Sequence, residues 1–73
     1  MRSGPYTDCD IGKRIKTIRK RRGLTQADFA RMIGVTRPTV ISWERGVTVP
    51  VLYTLKRLSG VLGVTLEYLM EGM

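Results

Sequence analysis

Arg37, Pro38, Ile41, Ser42 and Arg45 fall one, three, one and three positions apart, so on a helix they share one face. The guanidinium of Arg37 is a planar fork of donors that fits guanine O6 and N7, and it fits a phosphate equally well. Pro38 offers only apolar contact, such as a thymine methyl accepts, and Ile41 either does the same or is an ordinary surface apolar residue. Ser42 hydrogen-bonds several bases and discriminates weakly between them. Arg45, with Gln26, Thr36 and Thr48, has the donors that position a protein on sugar-phosphate oxygens, although Gln26 reads equally as a solvent-exposed polar cap. Catalysis finds no comparable set of groups. The chain has no histidine, no carboxylate pair at useful spacing and no glycine loop that would cradle a phosphate, so it is not expected to be an enzyme. Cys9 is the single cysteine, which rules out a disulfide within the chain and argues against a structural zinc; no metal and no cofactor are expected.

These groups need elements to hold them. Asp10 is a candidate cap for a first helix running to about Arg22, with Ile11, Ile15 and Ile18 inward and Gly23 as its stop. The basic residues between them, from Lys13 to Arg22, form either a solvated face or a phosphate contact. Thr25 caps a second helix over about Gln26 to Ile33, with Asp28 placed to reach back in a short capping box and Phe29, Ala30 and Ile33 on one face. Gly34 suits a left-handed turn and Val35 can plug the corner; Thr36 caps a third helix that tolerates Pro38 in its first turn and continues to about Arg45. With Val40 and Trp43 inward, the Arg37 face is outward. Two short helices around a tight turn, the second displaying polar groups, form a helix-turn-helix, a device for reading DNA. Pro50 leads into a fourth helix over about Val51 to Leu62, whose expected stripe is Leu52, Leu55, Leu58 and Leu62. Thr65 caps a short fifth helix that returns Leu66 and Leu69 to the core. Residues 1–9 lack apolar periodicity and read as a flexible N-terminal arm before a single domain over residues 10–73.

Size and charge agree. A 73-residue chain is near the limit at which apolar burial outweighs chain entropy, so a helical bundle is economical. A net charge of +7, from 13 Lys and Arg against 6 Asp and Glu, calls for a polyanionic partner. No apolar run approaches the roughly 20 residues that span a bilayer, and the N-terminal segment is too polar for a secretory signal, so a cytoplasmic location and no membrane partner are expected.

Thr25-Gln26, Ala30, Gly34, Val40, Trp43-Glu44-Arg45-Gly46, Pro50 and Leu62-Gly63-Val64 together resemble the phage repressor and Cro type of helix-turn-helix proteins, the XRE-like family, over nearly all of Ile11 to Met70. The resemblance implies an all-α, compact five-helix bundle of the lambda-repressor-like type with helices 2 and 3 forming the motif. It also implies that Gln26 holds a backbone phosphate, helped by the positive end of its helix. An ion pair between helix one and helix three is implied as well, with Arg19 at the position matching Glu44. An acid at the end of a DNA-reading helix needs such a cation.

One short helix reads only a few base pairs, so a homodimer on an approximately palindromic operator is expected, with half-sites roughly 34 Å apart. By resemblance the interface involves helix five, making Tyr68, Met70 and Met73 candidates. A chain ending just after helix five is expected to lack a separate ligand-binding or oligomerisation domain. The resulting function is sequence-specific double-stranded DNA binding by a small transcriptional regulator, a repressor or controller that blocks or contacts RNA polymerase. The alternative is an antitoxin-type subunit that binds a toxin partner and autoregulates its operon.

Overall fold

The computed structural model describes the backbone of residues 7–70 and the side chains of residues 11–70, and within them every regular element is a helix. They are α1 (Thr7–Arg21), α2 (Gln26–Ile33), α3 (Arg37–Glu44), α4 (Leu52–Leu62) and α5 (Leu66–Met70). α1 begins a turn earlier than expected, so Asp10 lies inside the helix and does not cap it, and Thr7 to Cys9 are helical where an arm was expected. Between Pro5 and Asp10 no glycine or proline interrupts the chain, so nothing stops the helix from starting before Asp10. The rest of the expected arm lies outside the described residues.

Ile11, Ile15 and Ile18 of α1 meet Phe29, Ala30 and Ile33 of α2, Val40 and Trp43 of α3, Leu55, Leu58 and Leu62 of α4 and Leu69 of α5 in one buried cluster. Leu52 departs from the expected stripe. α4 starts at Leu52 with Val51 as its cap, so Leu52 sits in the first turn beyond the reach of the core and is exposed. α3 packs on α1 and α2, whereas α5 closes the bundle against α1 and α4. This order leaves one flank of α3 uncovered.

Capping fixes how α2 and α3 enter the bundle. The Asp28 amide donates to Thr25 Oγ1 at 3.0 Å, and the Thr39 amide donates to Thr36 Oγ1 at 3.4 Å. The Asp28 carboxylate does not complete the expected capping box. It pairs instead with Arg31, one turn along the same exposed face, which offers a full charge where the Thr25 amide would offer a partial one. Gly34 closes α2 in the left-handed region at φ 86°, with its amide and that of Val35 both donating to the Ala30 carbonyl. A side chain there would be strained and would also crowd the Arg57 guanidinium, 3.2 Å from a Cβ.

α1 and α3 cross unusually closely at Gly12. A Cβ on Gly12 would lie 2.0 Å from the Trp43 carbonyl oxygen, so only hydrogen fits between the two backbones. That approach brings Arg19 of α1 beside the end of α3.

Candidate nucleic-acid interface

Glu44 closes α3 with its side chain buried to 4% exposure beside that of Arg19, at 9%. Arg19 Nε donates to Glu44 Oε2 at 2.7 Å and Arg19 Nη2 to Oε1 at 3.1 Å, a two-point fork that suits a guanidinium and a carboxylate. Arg19 Nη1 also donates to the Leu24 carbonyl at 2.8 Å, which ties the α1–α2 turn to the pair. The ion pair implied by the resemblance is therefore present. Its carboxylate is held away from the outer surface of α3.

Gln26 has a position that residue type alone did not reveal. Its Nε2 donates to Glu44 Oε1 at 3.1 Å, while its Oε1 accepts from Arg37 Nη2 at 3.4 Å. The side-chain amide thus links the buried pair to the N-terminal end of α3. An amide nitrogen carries two hydrogens and Glu44 takes one, so Gln26 is oriented by the fold and keeps donor capacity toward the outside. The 3.4 Å contact to Arg37 is long, and Arg37 is exposed, so its fork is steered without being locked.

The expected face is assembled in space. Arg37, Pro38 and Arg45 are exposed, Ile41 and Ser42 are half-buried, and Val40 and Trp43 point into the core. Pro38 fits because the first-turn amides of a helix have no partner within the helix. The Ser42 hydroxyl is 2.8 Å from that of Thr48, so a residue expected at the bases and one expected at the backbone are joined across the α3–α4 connection. Thr36 is likewise 2.9 Å from the Thr39 hydroxyl. Each hydroxyl can donate in one direction and accept in the other, so both pairs remain able to bind an external oxygen. Gln26, Thr36, Arg45 and Thr48 border the α3 face from α2 and from the two ends of α3.

Two further contacts were not legible in residue spacing. Arg22, read as part of the basic face of α1, donates to the Leu62 carbonyl at the end of α4. Ser59 Oγ donates to the Val64 carbonyl at 2.6 Å and steadies the α4–α5 turn. Of the residues expected at a helix-five interface, Met70 packs against the core, Tyr68 lies beneath Arg14, and Met73 is outside the described residues.

A family model described as helix-turn-helix matches residues 15–69, which spans all of this assembly. The chain belongs to the XRE-like helix-turn-helix family of phage repressor and Cro type. Within that family, an uncharacterised helix-turn-helix transcriptional regulator of Bacillus subtilis, YqaE, is 38% identical over 62 residues, covering 85% of this chain and 53% of its own. The crystal structure of the P22 c2 repressor in complex with synthetic operator 9T has a TM-score of 0.79 at 35% identity, covering 86% of this chain and 96% of that one. The crystal structure of SinR in complex with DNA has a TM-score of 0.76 at 35% identity, covering 84% and 98%. The chain spans little more than half the length of the curated helix-turn-helix regulators it matches first. No described helix is long and apolar enough to cross a membrane.

Proposed function

We propose that this domain binds double-stranded DNA sequence-specifically as a transcriptional regulator, with α3 in the major groove. The observation that carries this reading is the outward face of α3, where Arg37, Pro38 and Arg45 are exposed beside the half-buried Ile41 and Ser42 while Glu44 is neutralised from behind. Arg37, Pro38, Ile41 and Ser42 contact base edges; Gln26, Thr36, Arg45 and Thr48 contact the backbone. The P22 c2 repressor and SinR, similar in fold and both solved with DNA, support DNA binding by this domain. Titrating a bound duplex across salt concentrations tests the electrostatic half of the proposal. Arg45→Ala is expected to weaken all sequences alike and to reduce the slope of log K against log salt by about 1. An unchanged slope would remove Arg45 from the phosphate contacts.

The regulator acts as a homodimer, and its two-fold contact lies at the α3–α4 connection. Val47, Val51, Leu52 and Tyr53 are 71%, 68%, 54% and 69% exposed, a concentration of apolar surface directly beyond the reading helix. At α5, the other candidate, Tyr68 is exposed and Met70 packs partly against the core. Leu52→Glu is expected to abolish cooperative binding to a two-half-site duplex while leaving the affinity for one half-site intact. Cooperativity that survives Leu52→Glu would move the contact elsewhere.

A further inference from the structure

We propose that Arg57 holds a DNA backbone phosphate beside the N-terminal end of α3, a role that rests on duplex binding by α3 and extends the contact to α4. α4 packs on α2, and Arg57 projects from it to the turn between α2 and α3. Its Nη2 and Cζ lie 3.2 and 3.9 Å from the point a Gly34 Cβ would occupy, so the bare glycine leaves the space that the guanidinium uses. Thr36, the cap of α3 and a backbone contact in the proposed complex, follows two positions later, no more than about 7 Å along the chain. A strand that meets Thr36 therefore passes close to the guanidinium.

Charge explains why this end of α3 calls for such a residue. Of Gln26, Thr36, Arg45 and Thr48, only Arg45 is charged, and it caps the far end of α3. With Arg37 at the bases, the N-terminal half of the backbone contact has neutral donors alone unless Arg57 serves it. Arg57 is exposed, and among the described residues its guanidinium makes no hydrogen bond or ion pair. The acids of the flanking helices are engaged elsewhere: Asp28 of α2 pairs with Arg31, Glu44 of α3 pairs with Arg19, and α4 has no carboxylate of its own. The guanidinium fork is thus free to take two oxygens of one phosphate. A base edge is the wrong partner, because Arg57 stands on α4, outside the α3 face that enters the groove. Arg57 also lies beside the C-terminal end of α2, where a cation favours the helix dipole, so its effects on folding and on DNA have to be read separately.

The test compares the wild-type chain, Arg57→Gln, Arg57→Lys and Lys56→Gln on the duplex that the wild type selects, with affinity followed across salt concentrations and phosphate contacts mapped by ethylation interference. Arg57→Gln is expected to lower the slope of log K against log salt by about 0.9, so that its deficit shrinks about three- to fourfold between about 50 and 200 mM salt, and to lose interference at one phosphate per half-site. Its preferred sequence is expected to stay the same, since a phosphate contact carries no base information. Arg57→Lys keeps the charge and is expected to keep the slope. Lys56→Gln removes an exposed charge from the adjacent position of the same helix and is expected to leave the slope and the interference map nearly unchanged. A slope and map unaltered in Arg57→Gln, or equal losses in Lys56→Gln, would overturn the contact while wild-type duplex binding stands. A lower urea midpoint and altered base preference with no phosphate lost would assign Arg57 to holding the α2–α3 turn, which overturns it as well. A wild-type chain that selects no duplex would remove duplex binding itself, and this contact with it.

Discussion

Arg19→Ala is expected to destabilise the domain by about 3–5 kcal/mol, read as a lower midpoint in urea denaturation. The size follows from what is left behind. Glu44 is 4% exposed, and without the guanidinium it retains only the Gln26 amide at 3.1 Å, too little to offset the loss of water around a carboxylate. The substitution also frees the Leu24 carbonyl from its 2.8 Å contact and so loosens the α1–α2 turn. Global stabilities of small domains begin at about 5 kcal/mol, so most of the domain's stability is at stake. Adding Glu44→Ala should restore part of the loss, because it removes the stranded charge. A loss below about 1 kcal/mol would mean that the pair behaves as an exposed one.

Gly12→Ala is the second large expected effect, and it works by volume instead of charge. The added methyl would meet the Trp43 carbonyl oxygen at 2.0 Å, and neither partner is a flexible side chain that could turn aside. α1 and α3 must separate, which strains the core at Ile11, Ile15 and Trp43 and pulls Arg19 from Glu44. Overpacking of this kind costs about 1–3 kcal/mol and sometimes more, against a gain of up to about 1 kcal/mol from replacing a helical glycine by alanine. The net expectation is a loss of about 2 kcal/mol, seen as a lower unfolding midpoint with helix content unchanged below it. Increased stability in Gly12→Ala would show that the two helices are not in backbone contact.

Gly12 and Gly34 also mark where sequence reasoning reaches and where it stops. Gly34 follows an apolar-periodic segment and precedes a capping threonine, so local pattern alone demands a left-handed turn there, and its φ is 86°. Gly12 stands inside a helix with ordinary helical dihedrals, and its requirement comes from Trp43, thirty-one positions away. Periodicity similarly places Ile15, Phe29, Val40 and Leu58 inside, because each lies mid-helix where the pattern is unambiguous. Leu52 misleads for the opposite reason: it continues the leucine stripe of α4, but the helix begins at that residue and turns it to solvent. At the candidate site, the outward set from Arg37 to Arg45 is legible from spacing, and the Arg19–Glu44 pair from resemblance. The linking role of Gln26 is not, since it depends on the angle between α2 and α3 and on a shared carboxylate.

Selection of bound sequences from a random duplex pool, run in parallel with the wild-type chain and Arg37→Ala, tests the central claim most directly. The account predicts an approximately palindromic winner for the wild type and, for Arg37→Ala, the same sequence with preference relaxed at one symmetric position, a discrimination worth about 1–3 kcal/mol per base pair. An identical selected sequence from both proteins would contradict Arg37 as a base reader, and enrichment of no duplex sequence at low ionic strength would contradict the placement of α3 in the groove.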